Sequence, residues 1–190
     1  MFYSILRYVI PGLWLAWYLY WMGAARDVKA TRWHESALSQ LLHRTLLLVA
    51  AVLMIEPYWS PAILNVRILP RSTALFVFGV AMLAAGLGFS IWARRHLGRN
   101  WSATVTLKED HTLIRTGPYA YVRHPIYSGV LFAILGTAMA IDEWRGVAAV
   151  LFALMAFIYK ITAEDRRLRE TFPHFEQYRQ QTAALIPFVF

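Results

Sequence analysis

Apolar residues in this chain come in long blocks, with the polar residues collected between them. Five blocks read as membrane-spanning helices, at about residues 2–25, 41–59, 74–93, 125–141 and 146–163. The third is uncharged over about the twenty residues a helix needs to cross hydrocarbon. Only Asp142-Glu143-Trp144-Arg145 separates the fourth from the fifth, so these two are predicted to form an antiparallel hairpin. Gly129, Gly136, Ala138 and Ala140 on the fourth block are small enough to let helix backbones approach closely, as are Gly79, Ala85, Gly86 and Gly88 on the third. Trp14, Trp17, Tyr18, Tyr20, Trp21, Tyr58, Trp59, Trp92, Trp144 and Tyr159 lie largely near block ends and read mostly as an interfacial belt.

The polar stretch 94–124 is about thirty residues, longer than a plain connector needs to be. Within it, Ala103-Thr104-Val105-Thr106-Leu107 and Thr112-Leu113-Ile114 flank Lys108-Glu109-Asp110-His111, which reads as a short hairpin. From Thr162 to about Gln180 the tail has an amphipathic helical pattern, with Leu168, Phe172 and Phe175 on one face. Pro173 is expected to split that helix in two. The run Leu185-Ile186-Pro187-Phe188-Val189-Phe190 is apolar enough to fold back on the tail or the membrane. The expected fold is therefore an all-α integral membrane protein of about five transmembrane helices, with a cytoplasmic loop and an amphipathic helical tail. No linker or internal repeat divides it, so one domain over 1–190 is expected.

Charge then sets the orientation. Of nineteen Lys and Arg, fifteen fall in the segments after the first, third and fifth blocks, while Arg7, Arg67, Arg71 and Arg145 fall on the other side. The positive-inside rule predicts an outside N-terminus and a cytoplasmic C-terminus, in the inner or plasma membrane if the chain is prokaryotic. The same distribution accounts for the net charge of +8 without nucleic acid. No small-x-small cleavage site precedes Ala24, so the first block is taken as a span and not a signal peptide. A composition that is 58% hydrophobic and 16% charged agrees with a membrane protein. Without cysteine there is no disulfide or thiolate chemistry, and the histidines show no metal-ligand spacing, so no metal is expected.

The chemistry-bearing stretch is Arg115-Thr116-Gly117-Pro118-Tyr119-Ala120-Tyr121-Val122-Arg123-His124-Pro125-Ile126-Tyr127-Ser128-Gly129. Pro125 suits the first position of a helix, where an N–H would be unpaired anyway. The amides after it would form an anion-binding helix start, with Arg123 and His124 beside them. Gly117-Pro118 turns the chain and presents Tyr119 and Tyr121 nearby. Glu164-Asp165 leaves the fifth block on the same side, so the hairpin should bring His124 and Glu164 to one mouth. A basic helix start facing two carboxylates suits a zwitterion, and S-adenosylmethionine is one.

Taken together, Leu97-Gly98-Arg99-Asn100-Trp101-Ser102, the motif from Gly117 to Gly129, and Glu164-Asp165 with Leu168, Phe172, Tyr178 and Ile186-Pro187 resemble the isoprenylcysteine carboxyl methyltransferase family. The resemblance covers about the last half of the chain and centres on Arg-His-Pro-x-Tyr-x-Gly. It departs at Asp165, where a second Glu is usual, at Pro173, where Gly often follows Phe, and at Phe175, where Tyr is common. It implies an S-adenosyl-L-methionine-dependent methyltransferase whose cytoplasmic parts, 94–129 and 160–190, hold the cofactor. Tyr119, His124, Pro125, Tyr127 and Glu164 would line that cofactor. Lys160 would orient an anionic acceptor arriving from the bilayer, a lipophilic small molecule or a lipidated chain. His124 is the default base if one is needed, with cofactor binding its favoured role.

Plainer readings stand beside these. Arg123 and His124 could be interfacial anchors, Glu164 and Asp165 a helix-start cap, and Lys160 a residue that snorkels to the interface. Trp101 is as well explained by loop packing as by ligand contact. The tail arginines read as a face toward solvent or lipid phosphate. For function, carboxyl methylation of a prenylcysteine-like acceptor leads. N-methylation of an aminophospholipid is the close alternative. A sterol-type NADPH-dependent membrane reductase and a non-enzymatic scaffold are the alternatives of other classes.

Overall fold

The computed structural model describes residues 2–25, 31–34, 36–55, 58, 60–98, 101, 106–108 and 113–187. Their elements run α1 (Phe2–Ala24), β1 (Thr31–His34), α2 (Ala37–Ile55), α3 (Thr73–Leu97), β2 (Thr106–Lys108), α4 (Pro125–Ile141), α5 (Trp144–Thr171) and α6 (Phe175–Gln181). The five apolar blocks correspond to α1 through α5. Three of these, α2, α3 and α5, are long and apolar enough to cross a membrane, and α4 is a shorter apolar helix. The fold is that of an α-helical integral membrane protein. Arg99, Asn100, Ser102, Glu56, Trp59, His111 and the last three residues, all used in the sequence reading, lie outside the described residues.

The centre of the fold is a glycine seam between antiparallel α3 and α4. Gly79 faces Gly136 and Ala140, and Gly86 faces Gly129 and Ala133. A Cβ on Gly86 would lie 2.5 Å from the Gly129 carbonyl oxygen and the Ala133 nitrogen. One on Gly136 would lie 2.5 Å from the Gly79 oxygen. Each helix thus presents two glycines seven residues apart, the spacing at which a left-handed helix pair repeats its contact face. Both intruded-on partners are backbone, so a larger residue cannot be absorbed by a rotamer change. Of the other small residues predicted for this seam, Gly88 meets nothing within 4 Å and Ala85 is exposed, so the α3 contact narrows to Gly79 and Gly86.

Two tryptophans read as belt residues turn inward instead. Trp14 donates its indole N–H to Thr137 Oγ1 at 3.1 Å, and Trp17 donates to Ser90 Oγ at 2.8 Å. These bonds hold α1 across the α3–α4 pair, with both rings against Leu83, Leu87 and Ala133. On the other side α2 packs against α5, burying Ala50 and Leu53 with Ala149, Ala153 and Phe157.

The predicted hairpin of α4 and α5 closes at Asp142, which adopts φ 55° and donates its amide to Ala138 O. Its carboxylate accepts from Arg67 at 2.7 Å and from the Leu69 amide at 3.2 Å. Arg145, buried beside it, donates to the carbonyls of Leu53 and Met54 and so caps the C-terminal end of α2.

At the opposite end, β1 pairs antiparallel with β2, matching Thr31 to Lys108 and His34 to Thr106. Residues 106–108 thus pair with the α1–α2 connection, a non-local partner, while most of the hairpin expected within the loop (103–105 and 109–112) lies outside the described residues. Val122 bridges Ala183 in parallel, so the tail returns to the segment just before α4. The three connections that carry most of the positive charge therefore meet at one end of the bundle. A correction concerns α5. It does not stop at Ala163 but continues unbroken to Thr171, so the span and the first half of the amphipathic tail are one helix. Pro173 then separates it from α6, as expected.

Replacing Gly86 with Leu forces α3 and α4 apart and is expected to lower stability by more than about 2 kcal/mol, the scale of severe overpacking. Gly88→Ala should leave it unchanged or slightly raised. Thermal unfolding in detergent reads both; equal melting of Gly86→Leu and the parent would contradict the seam.

Candidate functional site

The site is assembled from the α3–α4 connection, the start of α4, the polar extension of α5, and the tail. Gly117 adopts φ +60°, and a Cβ there would collide with the His96 ring at 2.7 Å, so glycine is required on both counts. It begins a tight turn over Gly117–Ala120 that buries Pro118 and Tyr119. His96 shares a 2.8 Å hydrogen bond with Thr116 Oγ1 and lies parallel to the Tyr119 ring at 6.3 Å. From α6, the Tyr178 hydroxyl donates to Tyr119 O at 2.6 Å, fixing the turn from the tail side. Below it, buried Arg94 donates to Gly98 O at 2.7 Å and Ala24 O at 2.6 Å while covering the Trp101 ring.

The chain then pairs with the returning tail: Arg123 N donates to Ala183 O at 2.9 Å and His124 N to Ala184 O at 3.1 Å. His124 is the residue before the first turn of α4, and Pro125 occupies the first position, as predicted. Ser128 Oγ donates to Leu185 O at 2.6 Å, a third tie to the tail. The start of α4 is thus held by backbone from the far end of the chain.

The His124 ring lies between two adjacent carboxylates of α5. Nε2 is 2.8 Å from Asp165 Oδ1 and Nδ1 is 3.3 Å from Glu164 Oε2. The other Glu164 oxygen accepts from the Tyr127 hydroxyl at 2.7 Å. The Tyr127 ring stacks on His124 on one side at 5.7 Å and on Phe157 on the other at 5.2 Å. Lys160, buried in α5 one turn before Glu164, places Nζ 5.7 Å from the Tyr127 ring centre. Helical spacing explains the set: Phe157, Lys160, Ile161 and Glu164 recur at three and four residues and share the inward stripe of α5.

Arg123 does not face the start of α4 as expected. It pairs with Asp165 at 3.3 Å and donates to the carbonyls of Arg179 and Thr182, clamping the tail. The open cationic helix mouth anticipated from sequence is therefore an internally compensated cluster, with His124 and Arg123 both set against carboxylates.

Both ring nitrogens of His124 face acceptors, so the geometry selects the doubly protonated imidazolium. Burial alone would depress its pKa, but the hydrogen bonds to Asp165 and then Glu164 prevail and raise it from 6.5 to about 9. Burial, reinforced by the Glu164 charge, holds the Tyr119 hydroxyl protonated well above the ordinary tyrosine range. At neutral pH the cluster is a carboxylate–imidazolium–carboxylate bridge with the neutral Tyr119 phenol beside it.

The structure thus brings Tyr119, His124, Pro125, Tyr127, Lys160 and Glu164 to one end of the bundle. Asp165, paired with Glu164 in the sequence reading but not among the residues expected to line the cofactor, joins them, as does Tyr178 of the tail. Asp165 was detectable as the direct neighbour of Glu164 on a helix whose buried face includes Ile161. Tyr178 gave no such signal, because its partner is a backbone carbonyl.

An α-helical membrane protein with a polar cluster at one end is the class that fold and site define. Comparison with known proteins narrows it. Residues 72–170, spanning α3 to the polar extension of α5, match the family described as Isoprenylcysteine carboxyl methyltransferase (ICMT) family. The chain belongs to that family. It is 39% identical over 94 residues to cobalt-zinc-cadmium resistance protein CzcN of Cupriavidus metallidurans, covering 48% of this chain and 43% of that protein. It is 34% identical over 140 residues to the protein-S-isoprenylcysteine O-methyltransferase of Schizosaccharomyces pombe, covering 67% and 58%. A solved structure, that of the eukaryotic intramembrane Ras methyltransferase ICMT, superposes with a TM-score of 0.57 at 26% identity over 82% of this chain and 54% of its own. The chain spans about half the length of the curated relatives it matches. The family match extends further toward the N-terminus than the blocks that carried the resemblance, and stops before α6 and the returning end of the tail.

Because the folded pKa of His124 lies above 6.5, its ion pairs contribute fully below pH 6.5 and the contribution is lost as pH rises through about 9. A loss on the order of 3 kcal/mol is expected across that window. Melting curves from pH 6 to 9.5 should fall accordingly, and His124→Gln should flatten the slope. A parent slope no steeper than the variant's would contradict the bridge.

Proposed function

We propose that this protein transfers a methyl group from S-adenosyl-L-methionine to the carboxylate of a lipophilic, prenylcysteine-like acceptor at the cytoplasmic face of the membrane. The observation that carries the reading is the convergence of Tyr119, His124, Tyr127 and Glu164 at the charged end of a chain that belongs to this family. The donor set fits the cofactor. Glu164 offers a carboxylate to an amino group or ribose hydroxyls, and the Tyr119 ring offers a π face to a sulfonium. When bound, the cofactor supplies an electrophilic methyl carbon with a neutral thioether as leaving group.

The residues of the chain then have positioning tasks. His124 pins Glu164 and Asp165, and Tyr127 fixes the second Glu164 oxygen, so the carboxylate is oriented before any ligand arrives. Phe157 and Tyr127 form a wall toward the apolar interior. Lys160 lies at the boundary between that interior and the cluster, where its ammonium can draw an anionic acceptor out of the hydrocarbon. Burial of these groups keeps water from the reacting atoms.

The protonation state favours one acceptor class. An amine or thiol must lose a proton before it attacks, whereas a carboxylate is already a nucleophile. An imidazolium held by two carboxylates is a poor base, so His124 suits the second case. This supports carboxyl methylation over N-methylation of an aminophospholipid. The comparisons with isoprenylcysteine O-methyltransferases support the same choice.

Protein in detergent is expected to bind S-adenosyl-L-methionine, and Glu164→Gln to weaken that binding more than tenfold, or about 1.4 kcal/mol. Calorimetry with unchanged affinity in this variant would remove Glu164 from the site. Incubation with labelled cofactor and a panel of N-acetyl prenylcysteine, aminophospholipid and thiol acceptors should place base-labile label on the prenylcysteine carboxyl. Label confined to the aminophospholipid would overturn the acceptor assignment.

A further inference from the structure

Between the polar extension of α5 and the returning tail lies a cavity of about 770 Å³. Tyr119, Tyr127 and Glu164 do not line it. Arg166, Arg169 and Arg179 stand around its rim and Arg123 on its inner wall. Among the described residues two carboxylates compensate these four guanidinium groups. Asp165 is shared between Arg123 and His124, and Glu176 is shared between Arg169 at 3.2 Å and Arg179 at 3.1 Å. Among the described residues Arg166 has neither an ion pair nor a hydrogen bond. The rim therefore carries a positive excess made of guanidinium, the group best matched to the paired oxygens of a phosphate.

The other end of the cavity is apolar. Ile161, Ala184 and Pro187 form it, and Tyr121, 67% exposed, overhangs it. This is where α5 changes from a hydrocarbon-matched helix into a charged one: Ile161 is followed within a turn and a half by Asp165 and Arg166. Thr162, which lines the cavity, lies one turn beyond Ile158, and Ile158 is exposed on the outer face of the span. An apolar path therefore runs from the cavity onto the membrane-facing side of α5. A free inorganic anion would use the rim and leave this end empty. An amphiphile with an anionic phosphate head fits both ends, and a zwitterionic head would set its ammonium among arginines.

We infer that this groove seats the phosphate headgroup of an anionic membrane phospholipid, with the acyl chains leaving along the Ile158 face of α5. The seat is separate from the methyl-transfer reading and does not depend on it. It touches that cluster only through Arg123 and Asp165.

Native mass spectrometry of the full chain, stripped of lipid in detergent and titrated with phosphatidylglycerol or chain-matched phosphatidylcholine, tests the inference. At least a tenfold preference for phosphatidylglycerol is expected for one tightly held lipid. R166Q/R169Q should abolish the preference, and R166K/R169K, which keeps the charge, should retain most of it. Inorganic phosphate at matched concentration should not displace the lipid. Equal retention of the two lipids, full retention of phosphatidylglycerol by R166Q/R169Q, or displacement by phosphate alone would each overturn the assignment.

Discussion

A histidine with a carboxylate on each ring nitrogen is the constraint around which the charged end of this molecule is arranged. His124 belongs to the start of α4, while Glu164 and Asp165 belong to the far end of α5. Since the two helices run antiparallel from the turn at Asp142, this bridge closes the hairpin at its open end. The charges are largely withdrawn from water, so each is tolerable only while the others are present. Removing one partner from such a buried set leaves an uncompensated charge, which costs several kcal/mol. The same contacts fix the rotamers of Glu164 and, through its second oxygen, of Tyr127.

Everything else at this end converges on the bridge. The tail reaches it through the backbone bonds of Ala183 and Ala184 and through the Tyr178 hydroxyl on Tyr119. Arg123 joins Asp165 to the carbonyls of the tail. At the other end, Arg67 and Arg145 fasten the hairpin turn to the α2–α3 segment and to the last carbonyls of α2. Between the ends, the glycine seam sets α4 at backbone distance from α3. The position of His124 is thus determined by close packing in the apolar interior and by hydrogen bonds at both ends.

Much of this was legible in the residues. Pro125 marked the start of α4 to the residue, and the alternation of apolar blocks with arginine-bearing segments gave the helix order. The juxtaposition of His124 with Glu164 followed from the hairpin alone. Other features had no local signature. The pairing of 106–108 with 31–34 is non-local, and no pattern within either short polar stretch announces its partner. The division of α5 at Ala163 assumed that a helix ends where hydrocarbon ends, but the inward stripe of Phe157, Ile161 and Glu164 continues in phase to Leu168. Trp14 and Trp17 looked like interfacial residues because their hydroxyl partners, Thr137 and Ser90, are distant in sequence. The direction of Arg123 depended on the tail's return path, which composition does not encode.

The charge state of His124 is the most direct test of this account. Nitrogen NMR of the protein with labelled histidine would observe both ring nitrogens, assigned by comparison with His124→Gln. The account requires both to carry protons at pH 7.5 and to titrate together only near pH 9. A His124 signal that is neutral at pH 7.5, or that titrates close to 6.5, would show that the carboxylates of α5 do not hold it, and the bridge at the centre of this description would not exist.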